Sequence, residues 1–320
     1  MDIEKEKMAI ERLKAFQPDD GYYLCYSGGK DSDTIRIIAD IGDIKYECHN
    51  NHTTVDAPET VYYIRQVMGK YGERVREVGK DGAITYRYGT QGFVHIPKKS
   101  MWDLIAERNM PPTRVVRYCC SELKEKGGKG RLKVTGVRWA ESFKRKNNRS
   151  LVDIEKKKRT LKAAEELGAE YEEKKYAVSL NLDNAENRRL VEHCYRTDNT
   201  FVNPIIDWTD EDVWSFLHHY GCESNPLYKC GDKRVGCIGC PLQGSNGMKA
   251  DFAKYPKYKD AYLRAFAKMV ENNKRKCIEH SYFTNAESVM RWWLGENPDQ
   301  ITIDDYLSGY AKDLGGQNDV

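Results

Sequence analysis

Six small or charged residues join an aromatic segment to a helix-forming one. They read Ser27-Gly28-Gly29-Lys30-Asp31-Ser32 and follow Tyr22 to Tyr26, a run suited to a buried strand. The two glycines let backbone N–H groups approach an anion without a Cβ in the way. A helix beginning here would add unpaired N-terminal donors and the positive end of its dipole. The segment therefore predicts a phosphate-binding loop; the alternative is an ordinary strand-to-helix turn rich in small residues.

Other polar residues near predicted strand ends extend this hypothesis. Arg138 follows the predicted strand Leu132 to Val137, and its planar guanidinium suits bidentate binding of phosphate or sulfate. Thr53 follows the second predicted strand and is expected to reach the nucleotide. Within the loop, Lys30 supplies a full charge, whereas Asp31 is expected to cap the helix or hold Mg²⁺. The loop is not a Walker loop, because the G-x-x-x-x-G-K-[ST] pattern is absent.

Cysteines form the second group with a chemical reason for their spacing. Five of the ten cysteines are clustered: Cys119, Cys120, Cys230, Cys237 and Cys240. The C-x-x-C spacing, with glycines at 236 and 239, is typical of metal ligands. The adjacent pair at 119 and 120 would complete four thiolates, and a set with Cys230 replacing Cys119 is also chemically reasonable. From spacing alone an iron–sulfur cluster and a zinc ion are about equally favoured, and buried thiols are the weakest alternative.

Composition places the chain among folded, soluble proteins. It has 320 residues, 40% hydrophobic and 32% charged, with a net charge of +3. That charge does not by itself imply a nucleic-acid partner. No apolar stretch is long enough to cross a bilayer, and the charged N-terminus lacks the apolar region of a signal peptide. We expect a cytoplasmic protein with no membrane partner, in which disulfides are a poor explanation for the cysteines.

Apolar periodicity predicts an α/β fold. Strands are expected at Tyr22 to Tyr26, Ile44 to Cys48, Leu132 to Val137 and Tyr176 to Leu180. Helices are expected at Ile3 to Phe16, Thr34 to Ala39, Glu59 to Lys70, Lys156 to Leu167, Asp210 to Tyr220, Tyr255 to Lys274 and Ala286 to Leu294. Their alternation predicts a parallel twisted sheet with helices on both faces. Residues 72 to 116 give no clear pattern. We predict an α/β domain over residues 1–245 that includes the cysteines, and a helical C-terminal extension over 246–320.

Motifs along the chain resemble one enzyme family. The S-G-G-K-D-S loop resembles the PP-loop of the ATP-pyrophosphatase superfamily, whose fold is adenine-nucleotide α-hydrolase-like. Further segments are similar to those of the phosphoadenylylsulfate (PAPS) and adenylylsulfate (APS) reductases, in the family's order. They are Pro58-Glu59-Thr60, Thr135-Gly136-Val137-Arg138-Trp139-Ala140-Glu141-Ser142, Asn203-Pro204-Ile205-Ile206-Asp207-Trp208, Asn225-Pro226-Leu227-Tyr228 and Gly236-Cys237-Ile238-Gly239-Cys240.

The resemblance implies a set of site residues. Lys30, Asp31 and Arg138 are the predicted catalytic residues. Nucleotide and phosphate contacts are predicted for Ser27, Gly28, Gly29, Lys30, Asp31, Ser32, Thr53, Gly136, Arg138 and Glu141. Because iron–sulfur members of the family hold a 4Fe–4S cluster with a C-C pair and a distant C-x-x-C, the resemblance implies that Cys119, Cys120, Cys237 and Cys240 do so here. Cys230 is kept as a substitute ligand and zinc as the competing metal.

One family feature is missing. The reductases carry a nucleophilic cysteine near the C-terminus in an E-C-G-x-H-like segment, whereas no cysteine follows Cys277. The segment Cys277-Ile278-Glu279-His280 lacks the glycine. We therefore favour cleavage of ATP to AMP and pyrophosphate in an iron–sulfur-dependent sulfur transfer, with Mg²⁺ accompanying ATP, as in the similar DNA phosphorothioation enzymes. The alternatives are an APS or PAPS reductase using another thiol, and a non-catalytic nucleotide-binding subunit.

The expected partners follow from these hypotheses. Besides the adenine nucleotide, a sulfur-donor protein or a thioredoxin-type reductant is expected. Direct nucleic-acid binding is not favoured. The basic stretches Lys144 to Arg149 and Lys156 to Arg159 support it, but glutamates follow closely, and a solvated charged helix explains them better. The pattern leaves the oligomeric state and the sulfur acceptor open.

Overall fold

The structure, a computed structural model, describes residues 2–278 and 283–296. Within these residues ten strands form one sheet, in the order β3-β4-β5-β2-β1-β6-β10-β7-β9-β8. The strands are β1 (Tyr22–Cys25), β2 (Tyr46–Asn51), β3 (Arg74–Val78), β4 (Ile84–Tyr88), β5 (Gly92–Ile96), β6 (Lys133–Val134), β7 (Val152–Glu155), β8 (Glu172–Glu173), β9 (Ala177–Leu180) and β10 (Thr200–Val202).

Helices connect and follow the strands. They are α1 (Ile3–Ala15), α2 (Lys30–Ile41), α3 (Pro58–Gly69), α4 (Met101–Glu107), α5 (Tyr118–Leu123), α6 (Phe143–Asn148), α7 (Lys158–Leu167), α8 (Ala185–Cys194), α9 (Asp210–His219), α10 (Pro226–Lys229), α11 (Gly244–Lys254), α12 (Pro256–Arg275) and α13 (Ala286–Trp293). None of the helices in the described ranges is long and apolar enough to cross a membrane.

The centre of the sheet is parallel. β1 lies between β2 and β6 and is parallel to both, and β5 and β10 extend this parallel part on either side. The chain moves from β1 to β2 on one side and later returns to place β6 on the other side of β1. In such open α/β sheets, ligands bind outside the carboxyl ends of the strands where the order reverses. The fold therefore places the ends of β1 and β6 at the expected position of a site.

Both ends of the sheet are antiparallel, which the predicted parallel sheet did not include. β3, β4 and β5 form an antiparallel meander within the stretch 72–116, for which no pattern was found. β7, β9 and β8 form another antiparallel group beside β10. The α/β class with flanking helices and C-terminal helices is confirmed, and the sheet is corrected from parallel to mixed. The predicted strand Leu132–Val137 is also shorter than expected, because the chain leaves the sheet after Val134.

The chain divides into two compact units. The first comprises the residues up to Lys98 and those from Leu123 to Gly236, and contains the sheet. The second comprises Lys99–Glu122 and the described residues from Cys237 onward, and contains α4, α11, α12 and α13. These units do not coincide with a division at residue 245, because the second unit includes an internal segment. The proposed domains 1–245 and 246–320 stay a sequence-based prediction.

Candidate functional site

The loop after β1 is shaped by glycine and closed by serine. Gly28 has a φ of +74°, and a Cβ at this position would lie 2.8 Å from Cγ1 of Ile64, so a side chain is excluded by both backbone and space. Gly29 is the N-cap of α2, and its N–H donates to Ser32 Oγ at 3.1 Å. The Ser32 hydroxyl in turn donates to the Gly29 carbonyl at 2.8 Å. The loop thus presents the N-terminus of α2 at the end of a central strand.

A distant asparagine holds this loop in place. Asn225 is fully buried, and its amide nitrogen donates to the Gly28 carbonyl at 3.0 Å and to Thr60 Oγ1 at 3.1 Å. Asn225 also caps α10 through its side-chain oxygen, which accepts from the Leu227 N–H. The P-E-T segment, the N-P-L-Y segment and the phosphate loop are therefore joined in one hydrogen-bonded arrangement.

Arg138 ties the loop to the start of α9. Its side chain is 1% exposed, with Nε donating to Asp31 Oδ1 and Nη2 to Asp210 Oδ1, both at 2.7 Å. Nη1 donates to the Trp208 carbonyl at 3.2 Å. Lys30 Nζ lies 3.3 Å from the same Asp210 oxygen. Arg138 therefore orients the two carboxylates that flank the Lys30 ammonium.

Gly136 allows the segment after β6 to pass close to the loop. A Cβ at position 136 would lie 2.7 Å from the carbonyl oxygen of Asp31 and 2.9 Å from its Cβ. Any side chain would have to displace backbone atoms at the start of α2. This close approach explains why glycine precedes Arg138 at the end of a strand.

These segments enclose a pocket of about 390 Å³ in the first unit. Its walls carry five cationic side chains and three carboxylates, an excess of positive charge that favours an anionic ligand. The charged residues are Lys30, Arg138, Arg145, Lys233, Arg234, Asp31, Glu141 and Asp210. Together with the backbone donors of the loop, they give the pocket the chemistry of a phosphate or sulfate site.

Charges within the pocket shift one another's pKa. Burial alone would raise the pKa of Asp210, but the hydrogen bond from Arg138 and the charge of Lys30 outweigh it and lower that pKa. For Arg145, burial and the nearby Arg234 guanidinium outweigh the Glu141 carboxylate and lower the pKa. The two guanidinium groups therefore repel each other, an arrangement that favours an anionic ligand.

The pocket contains most of the predicted nucleotide-contact residues. Those that line it are Ser27, Gly29, Lys30, Asp31, Ser32, Gly136, Arg138 and Glu141. Gly28 and Thr53 are not among the lining residues. Gly28 instead shapes the loop, and Thr53 is buried with its N–H donating to Asp56 Oδ2 at 2.7 Å. The assignment of all ten to nucleotide binding stays a prediction.

Other lining residues were not predicted. They are Cys25, Thr135, Val137, Ala140, Arg145, Asp210, Tyr228, Lys233, Arg234 and Val235. Most fall inside or beside the quoted motifs, so proximity to a motif was the available signal. Lys233 and Arg234 lie just before the C-x-x-C segment, and their spacing carries no local signal of a place in the pocket. The fold brings this segment beside the phosphate loop.

Four of the predicted metal ligands lie in the second unit. Cys119 and Cys120 are in the first turn of α5, and Cys237 and Cys240 flank Gly239, whose φ is +69°. A hydrogen bond with Cys120, burial, and the charges of the other three thiols raise the pKa of Cys119. The four thiols are therefore near enough to affect one another.

The loop that carries the C-x-x-C pair is firmly held. The Gly239 N–H donates to Asp251 Oδ2 at 2.7 Å, and the Tyr262 hydroxyl donates to the Ile238 carbonyl at 3.0 Å. A Cβ on Gly239 would lie 2.7 Å from the ring of Phe252. No group of three or more His, Cys, Asp and Glu side chains in the described ranges has the arrangement of a metal site. The donor chemistry fits a thiolate-bound group, whereas the side-chain positions do not by themselves define one.

The remaining cysteines differ from this set. Cys230 is exposed and belongs to the first unit. Cys277 is exposed, has a φ of +54° and is not among the residues lining the pocket. Residues 279 and 280, which complete the segment compared with the reductase tail, lie outside the described residues. Cys25 lines the pocket, but burial raises the pKa of its thiol to about 11.

The fold and the pocket define an α/β protein with a cationic pocket at the carboxyl ends of β1 and β6. A model of the phosphoadenosine phosphosulfate reductase domain matches residues 21–243. The chain therefore belongs to that family. The matched region includes every motif segment quoted above.

Individual relatives match with lower coverage. The chain is 24% identical over 291 residues to an uncharacterized protein of Methanocaldococcus jannaschii, which covers 85% of this chain and 54% of that protein. It is 38% identical over 64 residues to an uncharacterized 37.8 kDa protein of Escherichia phage 186, and this match covers 20% of this chain and 17% of that protein. An adenosine 5'-phosphosulfate reductase of Bacillus cereus is 28% identical over 78 residues, and this match covers 23% of this chain and 33% of that enzyme. The matches thus span about half or less of these relatives.

Among solved structures, a phosphoadenylyl-sulfate reductase from Candida auris, in complex with phosphate, aligns with a TM-score of 0.40 and 14% sequence identity. The alignment covers 73% of this chain and 93% of that one.

Proposed function

We propose that this chain binds an adenine nucleotide in the pocket and cleaves ATP to AMP and pyrophosphate during a sulfur-transfer reaction. The observation that carries the proposal is the arrangement of the α2 N-terminus, Lys30 and Arg138 around one cationic pocket. Such a site stabilises charge that develops on a leaving phosphate without needing a protein nucleophile.

The proposed reaction has two steps. An acceptor oxygen attacks the α-phosphorus, the bond between that phosphorus and the bridging oxygen breaks, and pyrophosphate leaves with the electron pair. Hydrosulfide then attacks the acceptor carbon or phosphorus, AMP leaves with the electron pair of the bond to oxygen, and the acceptor now carries a bond to sulfur in place of that bond. The loop N–H groups and Lys30 would stabilise the pyrophosphate, and Arg138 would orient Asp31 and Asp210 beside it. These carboxylates are also the groups available to a Mg²⁺ carried by ATP.

The thiol chemistry of the pocket supports this proposal over direct attack by cysteine. Cys25 is the one thiol that lines the pocket within the described residues, and with a pKa raised to about 11 by burial it stays protonated near neutral pH. Reduction of APS or PAPS remains the second candidate, because several curated relatives are adenosine 5'-phosphosulfate reductases. It would require a thiol from elsewhere in the chain or from a partner.

Product analysis separates the two candidates. Anaerobically purified protein would be incubated with ATP–Mg²⁺, APS or PAPS, each with sulfide or a dithiol donor, and the nucleotides separated by chromatography. We expect AMP from ATP, with water taking the place of the acceptor oxygen, and this AMP should be lost in Lys30→Ala but retained in Lys229→Ala, whose exposed side chain is outside the pocket lining. AMP or adenosine 3',5'-bisphosphate formed only from a sulfonucleotide would establish the reductase, and nucleotide binding without any product would establish a binding subunit.

We further propose that Cys119, Cys120, Cys237 and Cys240 hold a 4Fe–4S cluster. The proposal rests on the family's ligand pattern and on four mutually interacting thiols in one compact unit. Such a cluster would supply electron transfer or hold sulfur when bound. Iron, zinc and acid-labile sulfide analysis of anaerobic protein should give about four irons and four sulfides per chain. Cys237→Ser should lose them, and Cys230→Ser should retain them; stoichiometric zinc instead would show a structural zinc site.

A further inference from the structure

The segment from Tyr228 to Val235 brings polar groups to the pocket that the internal ion pairs do not use. Asp31, Asp210 and Glu141 pair with Lys30, Arg138 and Arg145. Lys233 and Arg234 also line the pocket, yet no carboxylate of the described ranges forms an ion pair with either. The surplus positive charge of the pocket is therefore located on two consecutive residues.

Tyr228 adds a neutral donor to the lining of the same pocket. Its phenol oxygen accepts the Lys30 N–H at 3.0 Å. A phenol oxygen that accepts a hydrogen bond still has its own proton to donate. Within the part of the chain that the structure describes, no protein group accepts that proton. Since Tyr228 lines the pocket, a ligand oxygen is the natural acceptor.

Hydrogen bonds and ring packing hold Tyr228 in place. Asn225 begins α10 and is hydrogen-bonded to the phosphate loop, so the helix that carries Tyr228 is fixed to the loop. The Trp214 ring packs edge-on against the Tyr228 ring at a centroid separation of 5.0 Å. Burial raises the pKa of Tyr228 to about 12, so the hydroxyl remains a proton donor across the neutral range. A fixed, protonated hydroxyl is a selective hydrogen-bond donor rather than a flexible surface group.

We infer that Tyr228, Lys233 and Arg234 form a second anion subsite, which binds the phosphoryl group adjacent to the one held by the phosphate loop. The inference rests on the proposed function of the pocket and deepens it, because it makes the pocket selective for a ligand with two linked phosphoryl groups. Pyrophosphate and the diphosphate portion of a nucleotide belong to this class. A single phosphate engages only the loop, Lys30 and the groups beside them.

Binding of inorganic pyrophosphate and inorganic phosphate tests the inference without any turnover. Titration calorimetry on the full chain would compare wild type with Tyr228→Phe and with the double variant Lys233→Ala/Arg234→Ala. Tyr62→Phe and Lys229→Ala are the matched controls, because both side chains are exposed and neither lines the pocket. Thermal denaturation would verify that every variant is folded.

Tyr228→Phe should weaken pyrophosphate binding about tenfold, the effect of losing one hydrogen bond to a charged group, and phosphate binding by less than about threefold. The double variant should weaken pyrophosphate binding by about 100-fold, again with a small effect on phosphate. The charge-neutral Tyr228→Phe change separates a specific contact from a general change in electrostatic potential.

Two results would overturn the inference. One is equal weakening of phosphate and pyrophosphate in both variants, which would mean a single anion site in a cationic field. The other is pyrophosphate binding unchanged by Tyr228→Phe and by the double variant. Neither result depends on ATP cleavage: selective pyrophosphate binding in a protein that produces no AMP would leave the subsite standing and remove the proposed reaction.

Discussion

Replacing Arg138 by methionine should destabilise the protein and weaken its anion site together. The substitution removes the donors to Asp31, Asp210 and the Trp208 carbonyl while keeping a side chain of useful size in a site that is 1% exposed. A hydrogen bond to a charged group contributes about 1.5–3 kcal/mol. The Asp210 side chain is 69% exposed, so solvent reduces its contribution to below about 1 kcal/mol. We expect the free energy of unfolding to fall by about 2–4 kcal/mol near pH 7.

The difference in free energy of unfolding between wild type and Arg138→Met should become smaller as the pH falls. The pKa of Asp210 is lowered in the folded protein, where its bond to Arg138 and the charge of Lys30 outweigh burial. A carboxylate with a lowered pKa stabilises the fold above its unfolded pKa of about 3.9, and this stabilisation is lost as the pH falls through the folded value. The variant has lost the bond to Arg138, so the difference between the two proteins should shrink below about pH 4.

Urea denaturation followed by tryptophan fluorescence at several pH values between 7 and 3.5 measures this difference. Arg12→Met is the matched control: Arg12 makes a bidentate ion pair with Asp207 at 2.8 and 2.9 Å but does not line the pocket. It should reduce stability while leaving pyrophosphate affinity unchanged, whereas Arg138→Met should reduce both. A deficit below about 0.5 kcal/mol, or one constant across the pH range, would refute the electrostatic reasoning for Arg138.

Three further predictions concern the surroundings of the pocket. Gly136→Ala should lower the free energy of unfolding by about 1–3 kcal/mol, because the new Cβ meets the Asp31 carbonyl at 2.7 Å; unchanged urea midpoints would contradict this. His49 is stacked between two aromatic rings, and burial is the main cause that lowers its pKa to about 2. Its NMR shifts in the folded protein should therefore stay constant from pH 8 to 5. Because the histidine of the unfolded protein takes up a proton below about pH 6.5, the free energy of unfolding should fall as the pH is lowered through this range. Asp33→Asn should cost about 1–3 kcal/mol by urea denaturation, since an amide nitrogen cannot accept one of the two phenol hydroxyls that donate to this buried carboxylate; an unaltered midpoint would exclude it.

Local signals in the sequence predicted most helices and the central strands. The aromatic run Tyr22 to Tyr26 contains β1, which ends at Cys25, and the helix expected over Glu59 to Lys70 begins at Pro58, because both signals depend on neighbouring residues. The antiparallel ends were not predicted. β7 contains Asp153, a charged residue that is buried because Ser179 and Asn203 donate to its carboxylate from other segments. No local sequence pattern predicts such a partner.

The site shows the same division between local and distant information. The phosphate loop and Arg138 could be identified because their residue types suit anions at strand ends. The contribution of Lys233 and Arg234 depends on how α10 and the following segment fold back beside the loop, which single-sequence spacing does not specify. Asp210 was expected only to begin a helix, yet it also accepts from Arg138. Contacts between residues about 70 positions apart require the tertiary fold.

The hydrogen bond from Asn225 to the phosphate loop determines when, during synthesis, the protein can acquire its binding capacity. The backbone of Gly28 is held by a side chain 197 positions later in the chain. Bringing these two residues together closes a long loop of chain, and the contact must overcome the entropic cost of that closure. A nascent chain that ends before residue 225 can form β1 and α2 but lacks the group that fixes their junction. We expect ribosome-bound chains to acquire pyrophosphate affinity abruptly, once the segment containing Asn225 leaves the exit tunnel.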